Sequence, residues 1–318
     1  MTPPRPGSGL HRFACLVAAA TFCLLIAGGL VTSTGSGLAV PDWPLSYGTF
    51  FPEMVGGVFY EHGHRMIAGT VALLTLALAV ALQWREPRRG VRILGWVAVG
   101  AVLLQAILGG ITVLWLLPTP VSVAHACLGQ IFFCLIATIA LVTSPSWREG
   151  VSAADAPPPA SRAVFLATAG ALFVQLVLGA WMRHDGAGLA IPTFPLAFGR
   201  LIPPFDNPGV AIHFAHRVWA LVVTACVLAS AFRVVRHHRG DRPLAAPGLR
   251  MTLLLPVQIT LGAYTVLTAK GVAVATTHLA FGALLLAASV ILCVQSETRR
   301  VAAKVPPRTG WVPGAEPA

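Results

Sequence analysis

Residues 35–48 read Gly35-Ser-Gly-Leu-Ala-Val-Pro-Asp-Trp-Pro-Leu-Ser-Tyr-Gly48, and residues 186–199 read Gly186-Ala-Gly-Leu-Ala-Ile-Pro-Thr-Phe-Pro-Leu-Ala-Phe-Gly199. The two align without a gap at an offset of 151. The register continues outward: His64-Arg65 falls on His216-Arg217 at an offset of 152, and Gln105-Ala-Ile-Leu-Gly109 falls on Gln258-Ile-Thr-Leu-Gly262 at 153, as does His125 on His278. A fixed period over so long a span marks a duplicated unit. The fold of one half therefore predicts the fold of the other.

Composition says what the unit is made of. The chain is 56% hydrophobic and 10% charged, with a mean hydropathy of +0.77, which places it among polytopic membrane proteins. A helix crossing the hydrocarbon needs about 20 mostly apolar residues. Eight such segments are present, at roughly 13–33, 59–83, 92–116, 121–144, 162–182, 210–233, 249–269 and 272–294. The first could be read as a signal peptide, but it is too long for a signal core and its internal copy at 162–182 cannot be one.

Because spanning segments must satisfy their own backbone hydrogen bonds, the sequence predicts an all-α membrane protein of eight transmembrane helices, arranged as two tandem four-helix bundles. Four is an even number, so both copies enter from the same side and the repeat is parallel, unlike the inverted repeats of many transporters. The expected organisation is an N-terminal bundle over 1–144, a cytoplasmic linker over 145–161 containing Ala156-Pro-Pro-Pro-Ala160, and a C-terminal bundle over 162–295. A tail over 296–318 has too little apolar content to pack and is expected to be disordered.

The net charge of +11 does not point to nucleic acid, because the basic residues are sorted by side of the membrane. Clusters at Arg85, Arg88, Arg89 and Arg92, at Arg233, Arg236, Arg239, Arg242 and Arg250, and at Arg299, Arg300, Lys304 and Arg308 all fall on one side. The opposite loops hold only Arg183, Arg200 and Lys270. The positive-inside rule then puts both termini in the cytoplasm of a cell membrane, with anionic lipid as the partner of the charge. The six cysteines all lie in apolar segments, so no structural disulfide is expected. The long outer loops after the first and fifth segments are of a length that usually covers or forms a site.

The candidate chemistry sits at the outer helix ends. His64 and His125 lie near the ends of the second and fourth segments, and His216 and His278 near those of the sixth and eighth. Helix bundles build cofactor sites from facing helices, and neutral imidazole is a common iron ligand. Two bis-histidine haem sites are the reading that results. For one histidine the plain alternative is an interhelical hydrogen bond, but duplication of both members at matched spacing argues against it, and ionisable groups at membrane depth are functional by default. Zinc suits the pairs less well, since neither is accompanied by a third or fourth protein ligand.

Arg65 and Arg217 each follow a candidate ligand and are placed to reach carboxylates on a porphyrin rim, or else to snorkel. The halves differ at one position: Glu61 precedes His64 by three residues, whereas His213 stands in its place before His216. A carboxyl in a desolvated pocket can handle a proton near neutral pH, which favours chemistry in the first half and an electron or holding role in the second. The alternative for Glu61 is a solvated glutamate at the interface. His62, His184 and His213 are assigned no ligand role, and His11, His237 and His238 belong to the inner surface.

Gly28-Gly-Leu-Val-Thr-Ser-Thr-Gly-Ser-Gly-Leu-Ala-Val-Pro-Asp-Trp-Pro-Leu45, Glu61-x-x-His64-Arg65, His125, His216-Arg217 and His278 resemble the haem A synthase family along essentially the whole chain. The resemblance implies two four-helix bundles and an oxidoreductase that converts the C8 methyl group of haem O to a formyl group by two successive hydroxylations, with oxygen from water. It implies haem O between His64 and His125, a haem b ligated by His216 and His278, and Glu61 as the catalytic carboxylate. It also implies partners in haem O synthase, a membrane farnesyltransferase, and in cytochrome oxidase assembly. Some bacterial members carry a cysteine pair in the first outer loop, where this chain has Val40 and Ser46. Two other classes remain in view: a di-haem electron carrier of cytochrome b type, which gives Glu61 no duty, and a haem transporter or chaperone.

Overall fold

The computed structural model of the chain describes residues 8–148 and 159–304. Among these, eight helices are long and apolar enough to cross a membrane. They are α1 (Ser8–Ser33), α2 (Gly56–Arg85), α3 (Arg89–Leu114), α4 (Thr119–Thr143), α6 (Pro159–His184), α7 (Pro208–His238), α8 (Arg242–Leu267) and α9 (Val272–Lys304), with the single turn α5 (Pro145–Arg148) after α4. The described chain is all-helical apart from two isolated bridges, Ser46 to Thr49 and Ala197 to Arg200, one in each long loop.

Local chemistry sets the ends near the site. Asn207 caps α7, its side chain accepting from Val210 N at 3.0 Å, and Pro208 follows at the first helical position, where its missing N–H costs nothing. The short connections α3–α4 and α8–α9 reverse the chain alike. Leu116 and Leu117 take φ of 58° and 61°, Ala269 and Lys270 take 50° and 64°, and Leu117 N and Lys270 N donate to Thr112 O and Thr265 O, each at 2.7 Å. Residues in this left-handed region close the end of a helix by satisfying its last carbonyls. The tight reversals bring His125 and His278 into the second turns of α4 and α9.

Helices α1, α2, α3 and α4 form a closed ring of neighbours, and α6, α7, α8 and α9 form the same ring. The rings meet through α1, α4, α6 and α9. Consistently, α4 and α9 are the most enclosed helices, while the others present broad apolar faces outward. One buried cluster, including Leu78, Leu82, Ile136 and Ile139, fills the first ring; another, including Phe165, Met251, Leu285 and Leu292, fills the second and takes in Phe133 and Cys134 of α4. All six cysteines are free.

The helix α9 runs on to Lys304 rather than giving way to an unpacked tail at residue 296. Ser296 is fully buried, and Arg162 of α6 donates to Glu297, which ties the extension to the neighbouring helix. The remainder of the expected tail, 305–318, and most of the expected linker, 149–158, lie outside the described residues.

Candidate functional site

The four candidate histidines occupy equivalent places on helices that all start from the side bearing the long loops: His64 on α2, His125 on α4, His216 on α7 and His278 on α9. Each is half-buried, and each lays the Cε1 edge of its ring against a glycine of the helix before it. A Cβ added at Gly28 would lie 3.1 Å from His64 Cε1, at Gly109 3.2 Å from His125, at Gly179 2.9 Å from His216 and at Gly262 3.1 Å from His278. The absent side chain is what admits the ring, a close approach that glycine permits.

Within each half the rings lie near enough to interact electrostatically, His64 with His125 and His216 with His278. The Nδ1 atoms of His64, His125 and His278 are buried without a hydrogen-bond partner. The amide nitrogen of Gln105 donates to His125 O at 2.9 Å, and that of Gln175 donates to His216 O at 3.1 Å while lying 3.1 Å from His216 Nε2. Among the described residues no three His, Cys, Asp or Glu side chains converge as a protein-only metal site would require.

The outer loop closes over the first pair through Glu61 and Arg65. Glu61 is 3% exposed, so it is not a solvated interfacial carboxylate. Its Oε2 accepts from Val40 N at 2.8 Å and its Oε1 from Arg65 Nη2 at 2.6 Å. Arg65 also donates from Nη1 to Asp42 O (2.7 Å) and Leu45 O (2.8 Å), and from Nη2 to Val40 O (3.2 Å). Four of its five N–H bonds are thus committed to the loop and to Glu61, leaving only Nε–H for any rim carboxylate. Asp42 in turn accepts from Gly48 N and Tyr47 N, and those amides hold its carboxyl below the usual range.

The second loop repeats this frame with one substitution. Ile191 N donates to His213 Nδ1 at 3.3 Å where Val40 N donates to Glu61, and Arg217 Nη2 donates to Ile191 O at 2.8 Å where Arg65 donates to Val40 O. Lacking a carboxylate, Arg217 leaves Nη1 buried and unpartnered, with its guanidinium 5.7 Å from the centroid of the Phe194 ring. His213 is a loop support, the duty left unassigned by sequence.

Val40 and Ser46, where some relatives are expected to carry cysteines, are both buried and both held by α2: Val40 through Glu61, and Ser46 by a 2.8 Å hydrogen bond between its Oγ and His62 Nδ1. The structure therefore brings Glu61 together with Arg65 and the first loop, and the paired histidines together within each half. Sequence reasoning missed His62, Gln175 and the four glycines. Gly28, Gly179, Gly109 and Gly262 could have been found, since they recur at the offsets of the repeat. Gln175 stands where the first half has Leu24 and carries no such signal.

Residues 55–290 match the model of the COX15-CtaA family, described as cytochrome oxidase assembly protein. Curated relatives include a heme A synthase of Geobacillus kaustophilus, 28% identical over 301 residues that cover 93% of this chain and 94% of the relative. Another is the heme A synthase of Bacillus pumilus, 29% identical over 262 residues covering 80% and 84%. That of Symbiobacterium thermophilum is 33% identical over 211 residues covering 63% and 67%. With nearly three quarters of its length inside the matched region and both histidine pairs within it, the chain belongs to the COX15-CtaA family of cytochrome oxidase assembly proteins.

Proposed function

We propose that the protein is a haem A synthase of the cell membrane, oxidising the C8 methyl group of haem O to a formyl group by two hydroxylations whose oxygen comes from water. The observation that carries this reading is the pair of matched histidine pockets, glycine-walled and with unpartnered ring nitrogens, of which only the first has a buried carboxylate. In this reading the two rings of neighbours are a duplicated four-helix unit, with the N-terminal bundle within 1–144 for the substrate and the C-terminal bundle within 162–295 for the cofactor. Both termini are cytoplasmic, and haem O arrives from a membrane farnesyltransferase.

The residues fit two iron tetrapyrroles. Each pocket offers two imidazoles, and among the described residues no third His, Cys, Asp or Glu converges with them, which suits a group that brings four nitrogens of its own. His64 and His125 bracket haem O, and Arg65 serves that site by fixing the loop over it. His216 and His278 hold haem b, with Arg217 at its rim. Haem b bound there supplies one-electron redox capacity. Each hydroxylation by water takes two electrons from the methyl carbon and releases two protons, one from that carbon and one from the water. Glu61, gripped by a guanidinium and a backbone amide, has a fixed orientation from which to handle a proton or to stabilise positive charge developing at the carbon.

Mass analysis of haems extracted from the purified protein tests the reading. Haem b together with haem O, haem A or a hydroxylated intermediate is the expected content. Haem b alone, with stable redox cycling and no conversion of added haem O, would favour an electron carrier, and no haem at all would sink the proposal.

A further inference from the structure

Two guanidinium groups border the second histidine pair, and neither has an acidic partner among the described residues. Arg217 has lost the carboxylate that its counterpart Arg65 keeps. Arg183, at the outer end of α6, is half-buried where α6, α1 and α9 meet. Its Nη2 donates to Gly29 O at 2.8 Å and to Ser33 Oγ at 2.7 Å, and Ser33 Oγ also accepts from Thr276 Oγ1 of α9 at 3.1 Å. These acceptors are neutral: they fix the head group without balancing its charge. Among the described residues no Asp or Glu lies within ion-pair distance of Arg183 or Arg217. Arg183 stands one helical turn beyond Gly179, on the face of α6 that seats His216, and Thr276, which shares its Ser33 anchor, lies two residues before His278.

The repeat shows that this charge is particular to the second half. Position 183 corresponds, at the offset of 151, to Thr32, whose hydroxyl donates to its own helix at Gly28 O. Between the two pockets, therefore, Glu61 is exchanged for His213 and Thr32 for Arg183. The first rim is balanced within the protein, while the second carries two uncompensated cations. A cation at membrane depth is costly without a counter-charge, and a guanidinium pairs best with a carboxylate.

We propose that Arg183 is a ligand-positioning residue of the second pocket, and that Arg183 and Arg217 together take the two ionised carboxylates of the ring that His216 and His278 hold. This rests on the haem b reading of that pocket. It separates the two sites by rim chemistry: the second selects a dicarboxylate ring by charge, and the first does not.

The test uses the full-length protein in detergent, loaded with haem b or with haem b dimethyl ester, which has the same ring and iron but no ionised carboxylates. In the parent the ester is expected to leave the second pocket roughly tenfold to a hundredfold faster than the free acid, the loss typical of a charge-assisted pair. Arg183→Gln should release haem b severalfold faster than the parent, part of the way to the ester rate because Arg217 still holds one carboxylate, lower its midpoint potential because a nearby cation is gone, and change ester release less than about twofold. Arg183→Lys should restore most of both properties. If the parent retains the ester as well as the acid, or if Arg183→Gln accelerates loss of both forms equally, Arg183 is only a helix tie and the proposal fails while the haem b reading stands. A parent protein with no bis-histidine haem in its second half would overturn the reading itself.

Discussion

Replacing Gly179 by alanine adds one methyl group at a place where the structure has no room for it. The new Cβ would stand 2.9 Å from Cε1 of His216 and 3.3 Å from its Nδ1, against the roughly 3.5–4.0 Å of an ordinary carbon–carbon contact. About 0.6–1 Å must be recovered by moving the ring or separating α6 from α7, whereas ligand distances at a metal tolerate only about 0.2 Å. Stability should change little. Overpacking costs about 1–3 kcal/mol, and removing glycine from a helix interior returns about 0.5–1 kcal/mol, so the net loss is about 0–2 kcal/mol. The variant is thus expected to fold and to lose its second-half haem. Gly170→Ala in the same helix is the control, since nothing lies within 4 Å of the added methyl.

Purified variants would be compared by the reduced-state visible band per mole of protein and by thermal unfolding. Gly28→Ala and Gly109→Ala, at 3.1 and 3.2 Å, should instead disturb the substrate pocket and leave the second-half band intact. Full haem content with an unchanged spectrum in Gly179→Ala would refute the idea that these glycines set ring position. An equal loss in Gly170→Ala would reduce it to a general effect of glycine on α6.

Four further outcomes are expected. Glu61→Gln should keep the fold and the second-half haem but slow haem A formation by roughly 100-fold to 10,000-fold, the usual contribution of a placed acid or base; turnover at near the parent rate, followed by mass analysis, would remove Glu61 from the mechanism. His216→Ala and His278→Ala should each abolish low-spin haem b, because among the described residues neither pair has a third His, Cys, Asp or Glu beside it, and a full spectrum in either would move the cofactor elsewhere. Asp42 has a depressed folded-state pKa, so its support of the Tyr47–Gly48 turn is complete above the ordinary carboxylate range, about 3.9, and is lost as pH falls through the lower folded value; amide exchange at Tyr47 and Gly48 should stay slow from neutral pH down to that range, and Asp42→Ala should make it fast throughout. Cysteines placed at the exposed Phe51 and Leu201 should react with an impermeant reagent from outside, and one at Arg239 only after permeabilisation, with the reverse pattern inverting the topology.

The eight helices were legible because the membrane imposes a length and a composition on each. What escaped depended on contacts between distant segments. The end of α9 was misjudged because the stretch past 296 has too little apolar content to pack by itself, whereas backbone bonding continues and the Glu297 carboxylate meets Arg162 across 135 residues. Arg65 was expected at a porphyrin rim because a guanidinium after a ligand suggests carboxylates; it also suits carbonyls, and only the folded loop supplies those of Val40, Asp42 and Leu45. Glu61 stood out in the sequence because His213 occupies the matching place before His216, but its burial and its two fixed donors follow from the loop lying across α2.

The same break carries a consequence for how the halves would divide their work. In the first half Arg65 is neutralised by Glu61 and bound to three carbonyls, so the rim carboxylates of a substrate gain little there. In the second half Arg217 retains a buried, unpartnered nitrogen and Arg183 an unbalanced charge, so the same carboxylates would bind with charge assistance. Binding that is equal in ground and transition states lowers KM without raising kcat, and tight product binding slows release. A pocket that must turn over is therefore better served by a rim already balanced within the protein, and a pocket that must retain its cofactor by one that is not. On this argument a Glu61→Gln protein should hold haem O no more weakly than the parent even as conversion fails. Breaking the Glu61–Arg65 pair frees a cation for the substrate, so a slower release of haem O from the variant would separate this account from one in which Glu61 acts on the reacting carbon alone.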